Sequence, residues 1–400
     1  MIEKLLICIF SFSTTCLGAQ NKLYKIIELG DLQVAYYDTV LYDSSQKYDQ
    51  FGYEGPAPIF TQVWYPYQGN PTQYAPDVFE AFQEIEAPRT LNRAYSYLKQ
   101  EFDTTFVNYA FQSFKNGGRV SKLPVDFGKY TDFEVYELLK KTQTKSHKKA
   151  FRQVLDYPII VYHHGAQGNS YENYLMAEYF ASRGFVFISS VYNLAYENKD
   201  LGYYSEGFDF ISMPKKTLEF ARNLSTEPRI IFIGFSMGAQ HGFLTLHDEI
   251  NIEGFISLET TLEFFNEDRY QERWPEIVEV IELHKDDYTF PIMMLANTQV
   301  RGIETSFPLF NQISNTPMIH VGSRNFFDHG SYTSLYHMRY LLKDKVHQPD
   351  SLNSKSQLEY YAIHLELIEK YINSILMNTV FDQKSFEQDF DFRFFNIRKD

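Results

Sequence analysis

Arg229-Ile230-Ile231-Phe232-Ile233-Gly234-Phe235-Ser236-Met237-Gly238-Ala239-Gln240-His241-Gly242-Phe243-Leu244-Thr245-Leu246 passes from an apolar strand pattern, through a serine between two glycines, into a helical pattern. A strand, a tight turn and a helix are thereby written into eighteen consecutive residues. A serine hydroxyl becomes a useful nucleophile when a sharp turn holds it clear of the sheet and helix N-terminal amides lie beside it to receive a developing oxyanion. Such a turn leaves no room for side chains two residues before and after the serine, and Gly234 and Gly238 stand at those places. Chance alone gives on the order of 0.1 matches to G-x-S-x-G in a chain of this length, so the flanking strand and helix carry the inference.

Working outward from Ser236, apolar and helical segments alternate. Pro158–Tyr162 reads as a buried strand, Glu172–Arg183 as a helix closed by Gly184, Phe185–Ser189 as the next strand, and Met213–Asn223 as the helix leading to the serine strand. Downstream come strand patterns at Phe255–Leu258, Pro291–Leu295 and Pro317–Val321, then an amphipathic helix from about Lys355 to Met377. This alternation predicts an α/β protein whose mostly parallel sheet has helices on both faces. Upstream, Leu32–Tyr42 and Ile59–Pro66 read as an antiparallel pair separated by a glycine and proline loop. The stretch from 70 to 156 is helical and irregular, and is read as an insertion before the third strand that serves as scaffold, lid or pocket wall; its Lys145–Lys149 run reads as a solvated helix end. Residues 20–400 are read as a single domain, in which the path of Val380–Asp400 is left open.

The first nineteen residues have the charged, apolar and small-residue regions of a secretory signal peptide, with cleavage expected after Ala19 or nearby, as after Gly18. Both cysteines, Cys8 and Cys16, lie in that leader, so the mature chain is expected to be disulfide-free and secreted or periplasmic, with no thiol catalysis. The leader's apolar run is too short to span a bilayer, so no stable membrane insertion is expected. A net charge of −14 argues against nucleic acid as a partner.

A serine nucleophile needs a base, an orienting acid and an oxyanion hole, in the chain order Ser, Asp or Glu, His. His329, in the loop after the last strand of the series, is the expected base; His320 alternates with Ile319 and Val321 inside that strand and reads as a packed histidine. The strand ending at Leu295 is followed by Ala296-Asn297-Thr298-Gln299, which offers no carboxylate, whereas Phe255–Leu258 ends in Glu259. Glu259 is therefore the expected acid, with Glu304 as the alternative. Met237, directly after the serine, and Ala166, in His163-His164-Gly165-Ala166-Gln167-Gly168, are the expected oxyanion amides. The adjacent histidines of that loop point in different directions and lack an accompanying carboxylate pattern, so no metal and no cofactor are expected.

Taken together, the His-Gly-x-x-Gly loop, the G-x-S-x-G turn, an acid at the end of the very next strand and a late histidine resemble the platelet-activating factor acetylhydrolases and dienelactone-hydrolase-like proteins of the α/β-hydrolase superfamily. The resemblance runs from about Tyr157 to Tyr332, with a looser match at Val63–Pro66, and Gly254–Glu259 falls where that family places its acid, with Glu in place of the usual Asp. It implies an α/β-hydrolase fold and a serine esterase acting on a small-molecule ester or an acylated polymer through an acyl-enzyme. A peptidase or amidase would use the same triad, and a non-catalytic binding protein could use the same scaffold.

Overall fold

The computed structural model describes residues 22–68, 77–106, 131–149, 156–198, 201–202, 207–259, 274–297, 309–313, 316–323, 329–342, 354–390 and 392–398. Their strands form one ten-stranded sheet in the order β10-β9-β8-β7-β6-β4-β5-β2-β1-β3. Its parallel centre comprises β4 (Ile159–His163), β5 (Val186–Ser190), β6 (Ile230–Phe235), β7 (Ile252–Leu258), β8 (Ile292–Asn297) and β9 (Met318–Ser323). β1 (Gln33–Gln50) and β2 (Tyr53–Tyr67) form an antiparallel hairpin whose second strand runs antiparallel to β5.

Side-chain alternation builds the two faces. On β6, Ile231, Ile233 and Phe235 join a core with β4's Ile160 and Tyr162, helix α3 (Tyr174–Ala181) and helix α8 (Ser354–Met377). Ile230 and Phe232 point the other way, into a core with Leu218 of α4 (Ser212–Arg222), Ala239 and Phe243 of α5 (Met237–Leu246) and Ile281 of α6 (Pro275–His284). A parallel sheet buried on both faces explains why its strands read as nearly continuous apolar runs.

Three local expectations are corrected. The first hairpin has no long loop: its strands continue to a tight turn at Phe51-Gly52, both at positive φ. Pro56 and Pro58 are tolerated because β2 pairs with β5 only over Thr61–Trp64, so at the prolines it has a partner on one side alone. The basic run is no helix end, since Ser146–Lys148 forms β3, parallel to β1, with Lys148 Nζ 2.7 Å from Asp38 Oδ2. Around Val78–Ile85 the helical pattern becomes a 3-10 turn, Phe79–Gln83, whose Phe79 and Phe82 pack in the main core near Trp64 and Tyr174.

Elsewhere in the insertion, Leu91 and, from α1 (Asn92–Phe106), Tyr95, Leu98 and Phe102 are buried against Phe60 and Val191, beside the carboxyl end of β5, and α2 (Asp132–Lys140) begins with a full capping box at Thr131 and Glu134. The C-terminal segment does not fray: after α7 (Ser334–His337) and α8, helix α9 (Gln383–Phe390) leads into β10 (Phe392–Arg398), antiparallel to β9. Among the described residues, no helix is long and apolar enough to cross a membrane.

Candidate active site

Strand order places the site. β4 has β5 on one side and β6 on the other, so the chain reverses its direction of winding there and the loops leaving the carboxyl ends of β4 and β6 open a crevice between them. Ser236 ends β6 on one wall; the 164–168 loop ends β4 on the other.

Ser236 has φ 54° and ψ −114°, a conformation that L-residues rarely adopt, and it caps α5. Its N–H donates to Leu258 O at 2.8 Å and its carbonyl accepts the amides of Ala239 and Gln240, so the turn is held from both sides. The sterics require the flanking glycines. A Cβ at 234 would lie 2.5 Å from Gly238 O, and one at 238 would lie 2.3 Å from His163 O. The start of α5 is thus pressed against the end of β4, and the Met237 amide, in the first helical turn, has no partner within the helix.

Residues 165–168 form a turn closed by Gly168 N–H donating to Gly165 O at 3.0 Å, with Gln167 at φ 60°. Ala166 is exposed at its tip. A Cβ at Gly165 would meet Phe235 Cδ1 at 2.9 Å and Ser236 Cβ at 3.4 Å, which puts this loop against the serine. His329 begins the short helical segment His329–Tyr332, and its ring lies on Phe235, 4.9 Å between centroids and 34° between planes. Ser236, the Gly165 loop and His329 therefore meet around Phe235.

Glu259 ends β7 next to this group, at φ 47° and 2% exposed, with its amide donating to Leu295 O at 2.7 Å. Glu304 lies outside the described residues. His320 is buried within β9 near Phe395, and burial pushes it down to about 3.

Behind the crevice lies a histidine cluster that the sequence only half disclosed. His163 Nδ1 is 2.9 Å from His164 O, and its Nε2 is 3.0 Å from Nδ1 of His241 on α5. His164 Nδ1 is 2.6 Å from Gly165 O, and its Nε2 accepts the amide of Tyr192 at 3.0 Å. These partners assign one proton to each Nδ1 and make all three rings neutral. Burial pushes His164 down to about 4, His241 to about 3 and His163 well below the ordinary range. The two adjacent histidines are spent on backbone and on each other's neighbours, fixing the root of the loop.

Sequence reading also missed Glu172 and Asn173, which it took as an ordinary helix start. Both are buried just before α3. The usable signal was an ionisable residue in a run otherwise patterned for burial. Farther off, at the opposite end of α5, His247, His284 and Asp287 each offer a ligand atom within 4.8 Å of the others. There the two rings stack at 4.1 Å and His284 Nδ1 is bonded to Asp287 Oδ2 at 2.8 Å.

Among solved structures, the chain is similar to a ferulic acid esterase from Streptomyces cinnamoneus, with a TM-score of 0.52 at 13% identity, covering 92% of this chain and 98% of that one. The chain has the α/β-hydrolase fold. Looser likenesses are to Est1E of Butyrivibrio proteoclasticus with bound ferulic acid (TM-score 0.33, 14% identity, 52% of this chain and 89% of that one) and to a thermophilic esterase of the planctomycete Thermogutta terrifontis (TM-score 0.36, 15% identity, 58% and 86%). No family model and no curated protein matches the sequence. Within the α/β-hydrolase fold, a serine at the strand-to-helix turn after β6 and a glycine loop after β4 occupy the crevice where this architecture assembles ligands.

Proposed function

We propose that the protein is an exported serine hydrolase that cleaves carboxylic esters through an acyl-enzyme. The observation that carries this reading is the strained Ser236, held at φ 54° on the turn into α5 with the Gly165 loop against it and the His329 ring on the adjoining Phe235. Backbone strain at a nucleophile position persists only where surrounding structure enforces it. In the proposed reaction, His329 takes the proton of Ser236 Oγ as that oxygen attacks the ester carbonyl. The amides of Met237 and Ala166 donate hydrogen bonds to the oxyanion, and the alcohol leaves with the proton from His329. Water then attacks the acyl-enzyme by the same steps in reverse. Glu259 is the proposed orienting acid, supported by its burial and its place at the end of the strand next to β6. Residues 1–19, outside the described residues, are the proposed signal peptide.

The likeness to a ferulic acid esterase is one of fold and leaves the acyl group open. The apolar side of α1, packed beside the carboxyl end of β5, is proposed as one wall of the acyl pocket.

The test is labelling of the mature protein with a fluorophosphonate, alongside hydrolysis of p-nitrophenyl acetate, butyrate and a feruloyl ester. Both signals are expected in the wild type and lost in Ser236→Ala. Glu259→Gln is expected to lower kcat on the order of 10²- to 10⁴-fold with labelling slowed in proportion, as for loss of a triad acid. A wild-type protein that neither labels nor turns over any of the three esters points instead to a binding protein on a hydrolase scaffold.

A further inference from the structure

Catalysis of the proposed kind requires the oxyanion loop after β4 and the histidine segment after β9 to be placed relative to each other within a fraction of an ångström, although 164 residues separate Gly165 from His329 in the chain. Two adjacent side chains touch both. Glu172 Oε1 accepts the Tyr162 hydroxyl at 2.7 Å and faces the Gly165 amide at 3.4 Å, and its Oε2 fills the space beneath Gly168, where a Cβ would approach to 2.3 Å. Asn173 reaches the opposite way. Its Nδ2 donates to Tyr332 O at 2.9 Å, and its Oδ1 accepts the Ser334 amide at 3.0 Å, the Ser334 hydroxyl at 2.9 Å and the Tyr361 hydroxyl at 2.5 Å. The backbone adds a further tie, from Leu335 N–H to Glu172 O at 3.3 Å.

We propose that Glu172 and Asn173 are a positioning pair that locks the oxyanion loop and the His329 segment into one register, through the rigid start of α3. The proposal rests on the serine-hydrolase reading for its catalytic consequence, but not for its structural one. Both side chains are buried and bonded to the two segments. Placing an ionisable carboxyl inside the core with no cation beside it among the described residues costs free energy, and burial pushes Glu172 up to about 7. An apolar residue would fill the volume at lower cost, so the hydrogen bonds to the loop are what the carboxyl supplies. Asn173 likewise uses both ends of its amide, which Leu or Asp could not.

Hydrogen–deuterium exchange of the full mature chain separates coupling from local packing. In Glu172→Ala, exchange is expected to rise at 329–336 as well as at 165–168; in Asn173→Ala, it is expected to rise at 165–168 as well as at 329–336. With p-nitrophenyl acetate, kcat is expected to fall on the order of 10- to 100-fold in each variant with KM within about threefold, and the double variant to be no worse than the more severe single. Glu172→Gln, which keeps an acceptor oxygen, restores most of kcat.

Exchange that rises only on the substituted residue's own side, or a double variant equal to the product of the singles, overturns the pair. If either alanine variant fails to fold, Glu172→Met, which fills the volume without an acceptor for Tyr162 and Gly165, and Asn173→Asp, which loses the donor to Tyr332 O, give the same exchange comparison. Fluorophosphonate labelling of the wild type reads the serine-hydrolase assignment separately: without labelling that assignment fails, while the exchange pattern still decides the pair.

Discussion

Ser236 sits where glycine would be at ease, at φ 54° and ψ −114°. A non-glycine residue in such a region costs about 1–3 kcal/mol, so Ser236→Gly is expected to raise stability above Ser236→Ala by about that amount while both are inactive. Urea unfolding of the two variants decides it; equal midpoints would mean that the turn is not strained. Glu172 allows a second test at this scale. Its carboxyl titrates near 4.5 ordinarily and near 7 in the fold, so the folded protein holds a proton that the unfolded chain has released between those values. That contribution to stability is complete below pH 4.5 and lost as pH rises through 7. Glutamine cannot ionise, so the stability of Glu172→Gln relative to wild type is expected to improve between pH 5 and pH 8, by at most about 3 kcal/mol. A difference that is flat with pH would show that the carboxyl does not titrate there.

At the level of elements, the strand–turn–helix around Ser236 works because α5 leaves β6 close enough to touch β4. Gly238→Ala would push a methyl into His163 O and His164 O, backbone atoms that cannot turn away. It is expected to destabilise by about 2 kcal/mol or more and to lower kcat by displacing the Met237 amide, measurable by thermal unfolding and ester hydrolysis together. A variant of unchanged stability would mean that helix and strand slide apart freely.

This element was legible in the sequence because its constraints are local: two glycines, one serine, and apolar periods of 2 and 3.6 on either side. The parallel strands were legible for the same reason, each being a short apolar run. The hairpin turn was misread because Pro56 and Pro58 signal a loop unless one knows that β5 leaves that part of β2 unpaired, a long-range fact. Three residues of β3 cannot display a period at all. Glu172 and Asn173 escaped notice because their meaning lies in partners as remote as Tyr332, Ser334 and Tyr361.

Across the whole molecule, charge and burial combine into a pH response. Among the described residues six histidines, His163, His164, His241, His320, His337 and His364, are buried and pushed down, His241, His320 and His337 to about 3 and His164 and His364 to about 4, by burial first. In the unfolded chain they protonate near 6.5. Stability from their neutrality is therefore present above 6.5 and lost as pH falls toward 3. Glu172, Glu178 and Asp38, pushed up by burial, act in the opposite sense, but among the described residues they are fewer. The expected net result is a stability that falls by several kcal/mol per pH unit below about 6, read as a urea midpoint much lower at pH 5 than at pH 7.5. Equal midpoints would mean that the histidine sites admit water and charge readily.

β10 sets a timetable for the newborn chain. β9, with Met318, Ile319 and Val321, has β8 on one side and receives its other neighbour only when Phe392–Arg398 arrives. A strand edge of that kind, with its amides and carbonyls unsatisfied, is a template for pairing with any passing chain. At about 5–20 residues per second, the roughly 70 residues between the two strands take ~4–14 s to synthesise, so a chain that folded while being made would carry an adhesive margin until β10 followed. A chain cut before Phe392 is therefore expected to leave β9 open to pairing with other copies, read as light scattering that rises with protein concentration.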